Sequence, residues 1–164
     1  MPPKQIRPKS LADYLDVLSR VAFEAGLSGR VVEAKWGNIE RAFHGFDPER
    51  VARMTPRAVD KLLDDDRVIR SRSKIEATIA NAETMLELDE EYGSFRRYLR
   101  SHDDFEATVK DLRKRFKFLG DNGAYRFLWI VGEEVPSWHD WAASRGITHG
   151  TRSGRRSAQP RKRA

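Results

Sequence analysis

Apolar residues return at three- and four-residue steps along most of the chain. Leu11, Tyr14, Leu15, Leu18, Val21, Ala22 and Ala25 keep this rhythm and Gly26 follows, which predicts a first helix closed by a glycine cap. Val31, Val32, Ile39, Ala42 and Phe43 outline a second helix beginning near Ser28. Asp47-Pro48 and Thr55-Pro56 each set a capping side chain before a proline, the arrangement that opens a helix, so two short helices are expected there. Ile75, Ile79, Ala82 and Leu86 mark a longer helix ending before Gly93, and Phe95 to Leu99 a brief one after it. Asp104 caps a helix through Val109 and Leu112, another runs from about Asn122 to Val131, and Ser137 opens a last turn or two. No alternating strand pattern of useful length and no internal repeat occurs, so the expected class is all-α.

Composition narrows this picture. With 164 residues and 39% hydrophobic content, one compact domain with a core is expected. The absence of cysteine excludes disulfides, thiolate zinc sites, iron-sulfur clusters and cysteine nucleophiles, and His44, His102, His139 and His149 are too scattered to suggest a metal. Neither a metal nor a cofactor is expected. No apolar run approaches the length of a membrane span or a signal peptide, so the protein is expected in the cytoplasm.

The net charge of +6 is carried by one end. From Arg145 onward stand Arg145, Arg152, Arg155, Arg156, Arg161, Lys162 and Arg163 with no acidic residue, whereas residues 1–144 hold 24 basic against 25 acidic side chains. The expected organisation is an N-terminal arm at 1–10, a helical domain at 11–146, and a disordered polycationic tail at 147–164 that attracts phosphates without reading sequence.

The stretch FKFLGDNGAYRFLW, Phe116 to Trp129, joins two predicted helices through a glycine-bearing turn. Such a turn suits phosphate binding, because Gly120 and Gly123 let backbone come close and the free N–H groups opening the second helix carry the positive end of its dipole. Arg113, Lys114, Arg115, Lys117 and Arg126 would add charge around it. An ordinary αα-hairpin with a glycine cap is the plainer alternative.

Four segments make the reading specific: AGLS (25–28), FDPERVARM (46–54), VIRSRSKIEATIANA (68–82) and FKFLGDNGAYRF (116–127). In order and wording they resemble the bacterial DNA-3-methyladenine glycosylase I family, of the helix-hairpin-helix glycosylase superfamily, over about residues 11–141. The resemblance implies a monomer that binds double-stranded DNA near the bacterial nucleoid, flips out an alkylated purine such as 3-methyladenine and hydrolyses its N-glycosidic bond. The expected DNA contacts are Leu27, Arg70, Arg72, Lys74, Lys117, Gly120, Asn122, Gly123 and Arg126. Phe23, Trp36, Tyr125, Trp129 and Trp138 are the candidate pocket walls, offering aromatic faces to a cationic base.

The chain also departs from that pattern. The family's usual recognition glutamate and tryptophan fall on Val21 and Gly29, its zinc-binding cysteines and histidine are missing, and a glycine before Phe116 is deleted. Glu24, nearly one turn beyond Val21, is the candidate substitute carboxylate. Asp140 lies 16 residues past Ala124, where the wider superfamily places a catalytic aspartate, although Ser137 and Asp140 also have the spacing of a capping box. Three readings follow: a glycosylase using Glu24 or Asp140, a DNA-binding relative without catalysis, and a helical protein of similar architecture only.

Overall fold

The computed structural model describes residues 3–146, so the predicted tail at 147–164 lies outside them. Among the described residues there are nine α-helices: α1 Leu11–Glu24, α2 Gly29–Ala42, α3 Pro48–Ala52, α4 Pro56–Leu63, α5 Arg72–Tyr92, α6 Phe95–Leu99, α7 Phe105–Arg115, α8 Asp121–Ile130 and α9 Trp138–Ser144. The chain divides into two compact units, Met1–Glu134 and Val135–Ala164. Helices α1 to α8 belong to the first and α9 to the second.

Local chemistry sets most boundaries. Asp47, Thr55, Ser71, Ser94, Asp104 and Ser137 each accept a backbone N–H from the first turn of the helix that follows. Gly26 turns the chain after α1 at φ +79°, a conformation that a Cβ would strain. One local feature escapes the sequence pattern. His44, Gly45 and Phe46 form a 3-10 turn with φ of 58°, 67° and 59°, and the cost of the left-handed backbone is offset by complete burial of Phe46. Its ring stacks on Trp36 at 5.4 Å and on Phe43 at 5.5 Å, and Phe23 meets both neighbours edge-on.

In the first unit α5 is the spine, packing against α1, α3, α4 and α6. Its motif residues explain that role. Lys74 is only 9% exposed, and its ammonium donates to the carbonyls of Ala22 at 2.9 Å, Phe23 at 3.0 Å and Ala25. A cation thereby closes the negative end of α1 and fixes the AGLS turn. Two turns on, the Asn81 amide donates to the Lys117 carbonyl at 3.2 Å and accepts the Lys117 N–H at 2.9 Å, clasping the loop between α7 and α8. Lys74 and Asn81 thus hold the two turns that meet at the site. The N-terminal arm docks at the far end of α8, where Ile6 N–H donates to the Ile130 carbonyl at 2.7 Å.

Candidate functional site

Helix α7, the loop 116–120 and helix α8 form the expected helix-hairpin-helix. Gly120 precedes α8 and offers no capping side chain to its first turn. A cavity of about 490 Å³ lies against this turn, lined by Gly120 to Gly123, Phe118, Arg113 and Arg126 on the hairpin side and by Val21, Glu24 and Ala25 of α1 and its end. The hairpin therefore faces the segment where the sequence placed the missing carboxylate.

Glu24 and Asp121 are the two acids of this cleft, Glu24 from the α1 side. The Glu24 side chain is 15% exposed, with Oε1 2.9 Å from Arg126 Nη1 and Oε2 4.0 Å from Arg20 Nε. A second cavity, of about 550 Å³, lies behind it, between the arm, α1, α2 and α8. Asp13, Asp16 and Glu33 give this inner chamber an acidic lining, balanced by Lys4, Arg20 and Arg126. Burial, together with the neighbouring Glu40 carboxyl, pushes the Asp16 carboxyl up to about 7 against the opposing pull of Trp36 and Arg20. The indole N–H of Trp36 donates to it at 3.0 Å. Sequence reasoning missed Asp16, although Asp13, Asp16, Arg20 and Glu24 recur at helical spacing on α1 and would have shown one polar stripe.

The other predicted residues divide. Leu27, Arg70, Lys117 and Asn122 are exposed. Arg72 is exposed too, held by Asp60 at 2.7 Å and Glu76 at 3.5 Å. Around the turn, Arg113 pairs with Asp121 at 2.8 Å and Arg115 with Asp111 at 3.0 Å, while Arg126 takes Glu24.

Several expectations are corrected by the geometry. Lys74 does not face outward, because its three N–H bonds are spent on carbonyls inside the fold. Gly123 admits close packing of α8 on α1 rather than open access: a Cβ there would stand 3.0 Å from Val21 Cγ1 and 3.2 Å from Leu119 Cδ1. At Gly120 a Cβ would meet nothing within 4 Å, so the open space beside the turn lies at this glycine. Phe23, Trp36 and Tyr125 are buried in the core and line neither cavity, Tyr125 packing edge-on to Phe105. Trp129 is held by the arm, its indole donating to the Pro3 carbonyl at 2.8 Å. Trp138 lies on α9 in the second unit, tilted against Trp141. The aromatic side chain that does line the hairpin cleft is Phe118, unforeseen as a site residue. It is exposed, has φ of 59°, and sits over the Lys74 ammonium at 4.9 Å.

Asp140 is exposed on α9, and its N–H donates to Ser137 Oγ at 3.1 Å, one half of the expected capping box. The zinc of the resembling family finds no ligand set here. The chain has no cysteine, and among the described residues no three His, Asp or Glu side chains are grouped to hold a metal ion.

Among the described residues, an all-helical body whose hairpin opens on a cleft holding a largely buried carboxylate fits a helix-hairpin-helix protein of the DNA glycosylase class. Comparison with known proteins then narrows the class. The profile of the methyladenine glycosylase family matches residues 12–118. DNA-3-methyladenine glycosylase 1 of Escherichia coli is 32% identical over 130 residues, covering 66% of this chain and 70% of that protein, and the Haemophilus influenzae DNA-3-methyladenine glycosylase is 29% identical over the same shares. Among solved structures, 3-methyladenine DNA glycosylase I superposes with a TM-score of 0.67 at 29% identity, covering 77% of this chain and 81% of that one. A single-residue variant of such an enzyme in complex with 3-methyladenine gives 0.68 at 28%, over 79% and 81%. The chain belongs to the methyladenine glycosylase family.

Proposed function

We propose that the protein is a monofunctional DNA glycosylase of base-excision repair that removes alkylated purines, 3-methyladenine among them, from double-stranded DNA. The observation that carries this reading is the position of Glu24, a largely buried carboxylate at the hairpin cleft, in a member of this family. The uncapped start of α8 and Gly120 hold a backbone phosphate, and Lys117, Asn122 and Arg70 add contacts along the strand. Leu27, exposed at the tip of the AGLS turn, meets the duplex where the base leaves the stack.

The chemistry needs few groups. A purine alkylated at N3 carries a positive charge, so when the C1′–N9 bond breaks the electron pair stays on the base and cancels that charge. Glu24 selects the cation, and water adds at C1′ to leave an abasic site. Asp140 is the alternative carboxylate for this chemistry, in the role of assisting that water. The enzyme works as a monomer in the cytoplasm, at the bacterial nucleoid, and among the described residues no helix is long and apolar enough to cross a membrane.

A second reading has its own support. Val21 and Gly29 stand where the family pattern carries its recognition pair, which favours a relative that binds lesions without excising them. Single-turnover release of 3-methyladenine from methylated duplex separates the two. The glycosylase reading expects release by wild type, and a loss of tenfold or more, about 1.4 kcal/mol, in Glu24→Gln, with a smaller effect on release of a neutral base such as hypoxanthine. Asp140→Asn should slow release of both bases alike. Tight binding to abasic duplex with no release from any substrate makes the binding-only reading the correct one.

A further inference from the structure

Val21, Glu24 and Arg126 line both cavities and so form the partition between the hairpin cleft and the inner acidic chamber. Glu24 Oε1 is shut off from solvent. Arg126 Nη1 approaches it to 2.9 Å, an ion contact whose angles do not complete a hydrogen bond, so the oxygen still has accepting capacity. Arg20 lies further off, at 4.0 Å from Oε2, and is shared with Glu33 at 3.9 Å. The carboxylate thus depends mainly on one guanidinium. That guanidinium belongs to α8, whose first turn lines the cleft without a side-chain cap, and it is 40% exposed against 15% for Glu24.

A DNA phosphate at the turn competes for Arg126, because guanidinium and phosphate form short, charge-assisted bonds. Once Arg126 turns toward the phosphate, Glu24 becomes a buried charge without its main partner, an unfavourable state that a cation relieves. An alkylated purine supplies one, and a neutral base does not. We propose that Arg126 is a specificity-determining residue: it masks Glu24 in the free protein and releases it to a cationic base only when the DNA backbone occupies the hairpin. The proposal rests on the role given to Glu24 above and adds that backbone capture and base selection are coupled through one side chain. Its consequence is that free cationic nucleosides are refused, since nothing draws Arg126 away.

The probe is 7-methylguanosine, a nucleoside with a fixed positive charge on its alkylated purine, titrated calorimetrically into the full-length protein, with undamaged-duplex affinity measured beside it. Wild type should bind the nucleoside weakly, whereas Arg126→Ala and Arg126→Gln should bind it about tenfold tighter or more while losing about tenfold in duplex affinity. The glutamine variant keeps the stem and a donor for Oε1, so it carries the test if the alanine variant does not fold. Arg113→Ala, which removes the other arginine on the cleft, should weaken duplex binding and leave nucleoside binding as it was. Adding Glu24→Gln to Arg126→Gln should abolish the gain. Unchanged or weaker nucleoside binding in the Arg126→Gln variant, or a gain that survives loss of Glu24, overturns the mask. Base release from methylated duplex is measured separately, so a protein that binds without excising refutes the glycosylase reading and leaves the nucleoside result to judge Arg126.

Discussion

Lys74→Met replaces a buried ammonium by an apolar side chain of similar length and isolates what the cation does for α1. Lys74 donates to the carbonyls of Ala22, Phe23 and Ala25 at the end of that helix. Ala22 also accepts the Ala25 N–H at 3.3 Å and keeps that partner in the variant. The buried Phe23 carbonyl loses its Lys74 partner, which costs about 1–3 kcal/mol, whereas the carbonyl of exposed Ala25 can turn to water. Loss of a cation at a helix C-terminus adds roughly 0.3–1 kcal/mol. Against this, the variant escapes the desolvation that holds the Lys74 ammonium below its usual pKa, so a net loss of about 1–3 kcal/mol is expected. Urea denaturation followed by circular dichroism measures it, with the midpoint falling and the slope unchanged. Arg70→Met, at an exposed position four residues before Lys74, is the control and should stay within about 0.5 kcal/mol of wild type. A loss below 1 kcal/mol in Lys74→Met would refute the capping argument. Weakened duplex binding at unchanged stability would make Lys74 a phosphate ligand, as the sequence alone suggested.

Two further outcomes follow from the same geometry. Asp16 has its folded-state pKa raised to about 7 from 3.8, so the folded state holds the proton more tightly and stability contributed by this group is lost as pH rises through that window. Asp16→Asn should remove that decline, and parallel stability curves for the two proteins between pH 4 and pH 7 would contradict the assignment. Gly123→Val should cost about 1–3 kcal/mol of stability by forcing α8 off Val21, while Gly120→Ala should leave stability within about 0.5 kcal/mol and weaken duplex binding about tenfold. The reverse pattern, measured by thermal melting and fluorescence anisotropy, would exchange the roles of the two glycines.

Helices were legible in the sequence because their signals are local. Periodic apolar residues, Asp-Pro and Thr-Pro caps and glycine stops act within a few residues of where they stand, and the elements they outline are present from α1 to α9. The hairpin and the AGLS turn were readable for the same reason, and counting along one helix singled out Glu24, which lines the hairpin cleft. The partners of these residues were not readable, because they come from distant segments. Lys74 looked like a surface cation until α5 crossed the end of α1, some 50 residues earlier in the chain. Gly123 looked like an open turn until α8 settled against Val21, and Phe23, Trp36 and Tyr125 looked like pocket walls until the core closed over them. Asp16 gained its raised pKa from burial and from Glu40 of α2, and Arg126 met Glu24 only when α8 packed on α1. Spacing along the chain determined which residues share a helix face, and the packing of those helices decided which charges meet, because the strength of a charge contact depends on separation in space and on exclusion of water.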